Sequence, residues 1–81
     1  MTYSEFEWKL CNEVFTMAMF YPEQNEEGKR YLYIQNWNDT AVYIFCVETE
    51  NSTLVRVSFN HNGWKLYGSY EDALKGICNQ F

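Results

Sequence analysis

Few side chains in this sequence could act as nucleophiles, bases or metal ligands, and they lie far apart. The three cysteines are Cys11, Cys46 and Cys78, without a CxxC pair, and His61 is the sole histidine. An odd number of cysteines at these spacings fits neither a disulfide framework nor a zinc site. Each cysteine falls within an apolar periodic segment, so we expect three free, buried thiols in a reducing compartment. His61 lies in an Asn-rich turn before Gly63, where we expect it to be solvated.

The carboxylates and the short motifs do not point to catalysis either. Glu48 and Glu50 form a close pair near a predicted hairpin end, where they would lack the desolvation that acid catalysis needs. Glycine-rich phosphate loops and the signature motifs of metalloproteases and serine hydrolases are absent from the sequence. We therefore expect a protein that is not an enzyme and that needs no metal or cofactor. The alternative is a small hydrolase that uses His61 with a cysteine or a carboxylate.

The chain is acidic, with 11 Asp and Glu against 6 Lys and Arg residues and a net charge of −5. The acids are clustered at Glu5 and Glu7, at Glu23, Glu26 and Glu27, at Glu48 and Glu50, and at Glu71 and Asp72. Clustered Lys and Arg side chains, which bind phosphate by releasing counterions, are lacking, so direct binding of nucleic acid is disfavoured. The acids can form a solvated face, or a negative field that steers the protein onto a basic partner such as the nucleic-acid groove of an enzyme.

Length and composition predict one globular domain. A chain of 81 residues supports a single core, and 47% apolar with 21% charged residues is typical of a folded protein. No stretch approaches the ~20 consecutive apolar residues of a membrane span, and the start of the chain lacks the features of a secretory signal. The sequence therefore predicts a single acidic domain over residues 1–81 that is soluble and cytoplasmic.

Residues 4–21 predict an N-terminal helix of about five turns. It would begin at a capping box, Ser4-Glu5-Phe6-Glu7, and end at Tyr21, because Pro22 disfavours helical geometry in the residue before it. Its apolar residues form two stripes, one of Phe6, Leu10, Val14 and Met17 and one of Trp8, Cys11, Phe15, Ala18 and Met19. A helix that is apolar over so much of its surface must be covered on two sides.

After this helix, the sequence predicts an acidic loop, four strands and a second helix. The loop spans residues 22–28, and alternating apolar residues then predict strands at residues 30–36, 40–48, 53–59 and 64–67. The turns between the strands are short enough to force antiparallel pairing. A second capping box, Ser69-Tyr70-Glu71-Asp72, begins the last helix. The expected fold is an α+β two-layer sandwich, a four-stranded antiparallel meander flanked by an N-terminal and a C-terminal helix in the order α-β-β-β-β-α.

The lengths of the hairpin loops predict which side chains face the helices. A two-residue loop at Asn51-Ser52 places Val42, Ile44, Cys46, Val55, Val57 and Phe59 on the inner face, and a four-residue loop at residues 60–63 adds Trp64 and Leu66. For the first hairpin, a three-residue loop at Trp37-Asn38-Asp39 places Leu32 and Ile34 inside, whereas a two- or four-residue loop would place Tyr31 and Tyr33 there. We choose the three-residue loop, because Leu and Ile leave no hydroxyl unsatisfied in a core.

The opposite face of the predicted sheet is unusually aromatic. It would carry Tyr31, Tyr33, Tyr43, Phe45, Val47, Leu54, Arg56 and Tyr67, with Lys65 at its edge. An antiparallel sheet normally turns polar side chains to water, and Tyr and Arg are enriched at binding hot spots. Three interpretations remain open: a partner-binding surface, a self-association surface, or tyrosines that are present because they favour strands.

Two families resemble the chain in outline. The element order resembles that of the double-stranded RNA-binding domain over most of the chain. Where that family has a lysine-rich clamp at the start of its last helix, this sequence has Tyr70-Glu71-Asp72-Ala73-Leu74-Lys75, with two acids before any base. In size, acidity and element order the chain is similar to small phage-encoded inhibitors, including anti-CRISPR proteins that occupy the DNA-binding groove of a nuclease. The second resemblance implies a phage protein that inhibits by occlusion.

The sequence therefore favours a non-catalytic protein-binding module, a small acidic inhibitor that occludes a basic, nucleic-acid-binding surface of another protein. The predicted partner-binding residues are Tyr31, Tyr33, Tyr43, Phe45, Leu54, Arg56 and Tyr67, together with the acids Glu23, Glu26, Glu27, Glu48 and Glu50. The alternative is a homodimeric domain that pairs its open sheet faces or its Trp8, Phe15 and Met19 helix stripe.

Overall fold

The computed structural model of the protein describes residues 1–16, 19–24, 28–35, 40–60 and 62–80, with residues 19–24 described by their backbone alone. Helix α1 spans Tyr3–Lys9 and continues as a π-helical turn over Leu10–Val14. Five strands follow, β1 at Met19–Gln24, β2 at Lys29–Gln35, β3 at Ala41–Glu48, β4 at Thr53–Phe59 and β5 at Trp64–Tyr67, and helix α2 spans Tyr70–Cys78. Within these residues, no helix has the length and apolar character that crossing a membrane requires.

The strands form one antiparallel sheet in which each strand pairs with the next along the chain, in the order β1-β2-β3-β4-β5. Both helical segments share one core with the inner face of this sheet, because Phe6, Leu10, Ala73 and Ile77 are buried among its side chains. Helix α2 contacts β4 and β5, and α1 contacts α2. The α+β class, the antiparallel meander and the two flanking helices are therefore confirmed, and the four predicted strands correspond to β2–β5.

The helical N-terminal region is shorter than predicted. Its capping box lies at Thr2, where Thr2 Oγ1 accepts the N–H of Glu5 at 3.2 Å and Glu5 Oε1 accepts the N–H of Thr2 at 3.3 Å, and not at Ser4. The π-helical turn ends at Val14, and strand β1 begins at Met19. The prediction of a continuous helix to Tyr21 is therefore wrong.

Strand β1 adds a fifth strand to the predicted four, at one edge of the sheet. Residues 19–21, Met-Phe-Tyr, are apolar and aromatic enough to suit either a helix or a strand, so periodicity alone could not separate the two. Pro22 pairs with Leu32 within this edge strand, a position where a missing N–H is tolerated. The predicted loop at residues 22–28 therefore overlaps a strand, and its residues 25–27 lie outside the described part of the chain.

The pairing of β2 with β3 confirms the predicted inner face of these strands. Leu32 pairs with Ile44, and both side chains are buried. The last pair, Gln35 with Ala41, leaves residues 36–40 between the strands, an odd number as the three-residue loop requires. The predicted turn at residues 37–39 itself lies outside the described residues.

The β3–β4 hairpin differs in register from the prediction but keeps the predicted faces. Its last paired residues are Glu48 and Thr53, and the Thr49 N–H donates to Ser52 O at 2.9 Å, so the turn is centred before Asn51-Ser52. The shift is an even number of residues, which leaves every side chain on its expected side. The buried inner residues of β2–β4 are Leu32, Ile34, Val42, Ile44, Cys46, Val55 and Val57, with Phe59 partly buried against them.

The β4–β5 hairpin has an odd loop where the sequence predicted an even one. Ser58 pairs with Trp64, which leaves residues 59–63 between the strands. Asn60 accounts for the additional residue: its N–H donates to Ala41 O at 2.8 Å, its Oδ1 accepts the N–H of Ala41 at 2.7 Å, and its φ of 50° turns the chain. Asn is one of the few residues that tolerate this left-handed geometry.

The odd loop reverses the two faces of β5. Trp64 and Leu66, predicted to face the core, lie on the outer face and are 49% and 63% exposed. Tyr67, predicted on the outer face, is instead partly buried against the core. Lys65, expected at the edge of the outer face, pairs with Val57 on the helix side of the sheet.

We expect Gly28→Ala to destabilise the fold by about 1–3 kcal/mol. Gly28 has a φ of 74°, and a Cβ there would lie 2.7 Å from Glu48 O, while Gly28 O accepts the N–H of Glu48 at 2.8 Å. Gly68→Ala is the matched control, because a Cβ at Gly68 would meet no atom within 4 Å. Chemical denaturation of both variants checks this expectation, and equal losses of stability would contradict it.

Candidate functional site

The candidate functional site is the sheet face opposite the two helices, here called the open face. Its side chains alternate with those of the core along β2–β5 and align in rows across the strands. One row contains Tyr31, Phe45, Arg56 and Leu66, the next contains Tyr33, Tyr43, Ser58 and Trp64, and a third, nearest the β3–β4 turn, contains Lys29, Val47 and Leu54. These residues define the open face.

Two pairs of stacked rings cross the open face between β2 and β3. The ring centroids of Tyr31 and Phe45 are 4.3 Å apart, and those of Tyr33 and Tyr43 are 4.8 Å apart, with interplanar angles of 23° and 28°. These distances match the spacing of neighbouring strands, so aromatic residues in register stack directly on each other. As a result Phe45 is only 8% exposed, and Tyr31 is the more accessible ring of its pair.

Arg56 continues the first row beyond the stacked rings. Its Cζ atom lies 4.6 Å from the ring centroid of Phe45 and 5.3 Å from that of Trp64, in reach for cation–π attraction to both. The side chain is half-buried, and its buried Nε atom has no hydrogen-bond partner among the described residues. Among the residues that the structure describes, no carboxylate forms an ion pair with Arg56.

Apolar side chains remain accessible on the open face. Trp64, Leu66, Leu54 and Tyr31 are all exposed. A cleft of about 310 Å³ opens on this face, lined by Tyr31, Leu32, Tyr33, Tyr43, Ile44 and Trp64. The arrangement can accept apolar side chains and, at Arg56, an anionic group.

Three acidic clusters that are separate in the sequence meet at one end of the sheet. Glu48 ends β3, the hydroxyl of Tyr70 at the start of α2 donates to Glu48 Oε1, and the N-terminal amine lies 3.0 Å from Glu71 Oε1. Acids in the first turn of each helix interact favourably with the helix dipole. We call this region the acidic end; its residues are Glu5, Glu48, Glu50, Glu71 and Asp72.

A buried polar cluster lies between the acidic end and the core. Tyr3 and Tyr70 are buried with ring centroids 6.1 Å apart, and the Arg30 guanidinium lies 4.5 Å from the Tyr3 centroid. Burial, followed by a hydrogen bond to Glu7, raises the pKa of Tyr3. Burial also raises the pKa of Tyr70, with a further contribution from its hydrogen bond to Glu48. The cluster therefore favours neutral hydroxyls at physiological pH.

The structure brings most of the predicted aromatic site residues together. Tyr31, Tyr33, Tyr43, Phe45, Leu54 and Arg56 all lie on the open face, as the pairing of β2–β4 requires. Tyr67 does not belong to this set, because the odd β4–β5 loop turns it toward the core. Trp64 and Leu66 belong to the site and were missed by sequence reasoning. The signal that could have found them is the Asn-rich turn, whose Asn60 can adopt a left-handed conformation.

The structure describes the side chains of only two of the five predicted acidic site residues, Glu48 and Glu50. Glu48 points to the helix side of β3, where α2 donates a hydrogen bond to it, so it does not border the open face as expected. Glu50 is exposed in the β3–β4 turn. Glu23 belongs to β1, of which only the backbone is described, and Glu26 and Glu27 lie outside the described residues.

The expectation of three buried thiols is wrong for two of them. All three cysteines are free, but only Cys46 is buried, and burial raises its pKa to about 12. Cys11 is exposed in the π-helical turn, and Cys78 is exposed at the last residue of α2. The described residues contain no cluster of three or more potential metal ligands, and His61, the basis of the hydrolase alternative, lies outside them.

Comparison of the chain with protein-family models, with curated protein sequences and with solved structures gave no match. The class of protein is therefore defined by the fold and the surface alone. It is an α+β protein with a five-stranded antiparallel meander that is covered by helices on one side and carries aromatic and apolar side chains on the other.

Proposed function

We propose that this chain is a non-catalytic protein-binding domain and that the open face is its docking surface. The observation that carries the proposal is the exposure of Trp64 and Leu66 beside Tyr31 and Leu54. Proteins seldom expose contiguous apolar patches that have no binding role. Tyr, Trp and Arg are also the residues most enriched in binding hot spots, because they bury much area around a few rigid groups.

We further propose that the partner carries a basic, nucleic-acid-binding surface and that the chain inhibits it by occlusion. The net charge of −5 and the gathering of acids at the acidic end support this proposal. A negative field of this kind raises the rate at which a basic partner is encountered. The resemblance in size and acidity to small phage-encoded inhibitors favours the same role. The acidic end would meet the basic groups while the open face supplies the apolar contacts.

Exposed residues of the open face should dominate the affinity. We expect Leu66→Ala and Trp64→Ala each to weaken binding of the partner about tenfold or more, the effect of removing a hot spot. The measurement is a titration of a partner that has been captured from lysate on the immobilised chain and then purified. Trp8→Ala is the matched control, since Trp8 is 58% exposed but lies on α1. Equal losses in the control and the open-face variants would contradict the docking surface.

Salt should act on association more than on dissociation. We expect the association rate with a basic partner to fall steeply as ionic strength rises, because screening weakens the field of the acidic end. The exposed pair Glu50→Gln and Asp72→Asn should flatten this dependence, and Glu13→Gln on the π-helical turn serves as the control. The measurement is binding kinetics over a range of salt concentrations. An association rate that is independent of salt would contradict a basic partner.

A second copy of the chain is the alternative occupant of the open face. The same exposure of Trp64 and Leu66 favours it. The predicted helix stripe no longer supports a dimer, because Phe15 is buried in the core and Met19 lies in strand β1. Light scattering over a dilution series separates the two proposals, and a monomer at every concentration would remove the homodimer.

A further inference from the structure

We infer that the open face binds a protein segment in which an apolar side chain stands next to a carboxylate, and that Arg56 holds this carboxylate. The inference rests on the proposed function and names the chemistry that its docking surface recognises. Three features of the open face support it: the fixed position of Arg56, the sign of the charge, and the cleft beside Trp64.

The guanidinium of Arg56 is positioned before any partner arrives. Its contacts with the rings of Phe45 and Trp64, at 4.6 and 5.3 Å from Cζ, restrict the side chain. In the described part of the chain, the buried Nε–H has no acceptor and no carboxylate pairs with the guanidinium. Guanidinium N–H groups form a planar fork that matches a carboxylate. A partner carboxylate would supply an acceptor that the described residues do not provide.

Along β2–β5, the open face carries basic and no acidic side chains, whereas the chain as a whole is acidic. Its charged members are Lys29 and Arg56, and none of its defining residues is acidic. Glu48, the acid of β3, points to the helix side and binds Tyr70. A carboxylate on a partner is therefore repelled by the net charge of the chain and attracted by Arg56, which orients the partner as well as binding it.

The cleft gives the carboxylate an apolar neighbour. Trp64 lines the cleft of about 310 Å³ and also contacts Arg56, so an apolar side chain in the cleft would lie close to the guanidinium. The volume is at the lower end of the ~300–1,000 Å³ range of ligand pockets, which suits one or two side chains of a protein segment.

Single-stranded nucleic acid is the other macromolecule that aromatic and Arg side chains on a sheet can bind, by stacking on its bases. The net charge of −5 opposes a phosphate backbone, whereas an isolated carboxylate brings a single negative charge to Arg56. A partner whose wider surface is basic can meet the acidic end and still present one carboxylate to Arg56. The observations therefore favour a protein segment.

Two short peptides that differ at one position test the inference on the unmodified chain. The first is acetyl-Gly-Leu-Glu-Leu-Gly-amide, and the second has Gln in place of Glu. Each is titrated into isotope-labelled protein while the amide, Trp indole and Arg56 Nε–H resonances are followed. We expect the Glu peptide to bind about tenfold tighter than the Gln peptide, as a charge-assisted hydrogen bond predicts, and to shift Arg56 Nε–H and the Trp64 indole most.

Substitutions at Arg56 then assign the preference to this residue. Arg56→Gln should bring the ratio of the two affinities close to one, and Arg56→Lys should restore part of the preference, because it keeps the charge but not the fork. Lys65→Gln is the matched control, since it removes the same charge from an exposed side chain on the helix side of β5. The amide spectrum of each variant reports whether it is folded, and the wild-type comparison needs no substitution.

Several outcomes would overturn the inference. They are equal binding of the two peptides, a preference that survives Arg56→Gln, no shift with either peptide at about 10 mM, and tighter binding of a short oligothymidylate at the open face. Equal binding of both peptides at the open face would leave the proposed docking function intact. A captured partner that is insensitive to Leu66→Ala would instead remove the docking function, so the two failures can be distinguished.

Discussion

Phe6→Ala is expected to lower the free energy of unfolding by about 3–5 kcal/mol, the usual cost of truncating a large aromatic side chain in a core. Phe6 is fully buried, and its ring centroid lies 5.1 Å from that of Tyr70 on α2. A domain of this length has a total stability of about 4–12 kcal/mol. The substitution therefore removes a large part of the free energy of unfolding, because it removes the contact between α1 and Tyr70 of α2.

Trp8→Ala is the matched control for this prediction. Trp8 lies on the same helix, but it is exposed, so we expect a loss below about 1 kcal/mol. Urea denaturation followed by far-ultraviolet circular dichroism measures both variants without depending on the fluorescence of the substituted Trp. Losses of similar size at the two positions would show that α1 does not pack through Phe6.

The folded state is expected to lose stability as the pH rises above about 9. The pKa of Cys46 is raised from 9.0 to about 12, and those of Tyr3 and Tyr70 are raised from 10.0, all mainly by burial. The unfolded chain therefore releases these protons at a lower pH than the folded chain. Stability is complete below about pH 9 and falls as pH rises above it; the Cys46 thiol alone contributes a loss on the order of 3 kcal/mol up to about pH 11, and the two tyrosines add to it above about pH 10.

Equilibrium denaturation at a series of pH values measures this loss. In the Cys46→Ala variant, the fall in stability between about pH 9 and pH 10 should be absent, because its unfolded state no longer has that thiol to ionise. Tyr3→Phe and Tyr70→Phe should each reduce the decline at higher pH. A wild-type stability that stays constant from about pH 8 to pH 11 would contradict the burial of these groups.

The inner face of β2–β4 could be predicted because several independent sequence features indicate the same face. Alternation along three strands and the parity of two loops all place Ile44 and Val57 inside, and a register shift of an even number leaves that result unchanged. The error at β4–β5 arose because a single loop residue decides the face of a four-residue strand. Asn60 supplies that residue through its contacts with Ala41, which no periodicity reveals.

The N-terminal region could not be resolved from the sequence for a different reason. A segment that is apolar on most sides satisfies both helical and strand periodicity, and Pro22 fits both a helix end and an edge strand. The outcome depends on whether the edge of β2 is paired, which is a tertiary interaction. Cys11 is exposed in the π-helical turn, which interrupts the helical periodicity, and Cys78 is exposed as the last residue of α2.

The candidate site was predicted in its composition but not in its arrangement. Tyr31, Phe45 and Arg56 were expected on one face and lie there in one row. Stacking across strands covers Phe45, which makes it a support for Tyr31 and Arg56 rather than an exposed anchor. The gathering of the acids at one end follows from the common orientation of the two helix N-termini, which depends on packing between elements.

The central claim is that the open face is where a partner docks. The most direct test is the footprint of a captured and purified partner on the isotope-labelled chain, read from the loss or shift of backbone and side-chain resonances. We predict that the affected residues are those of the open face, with Trp64, Leu66 and Arg56 among the most strongly perturbed. A footprint on the helix side around Trp8, with the open face unchanged, would contradict the account.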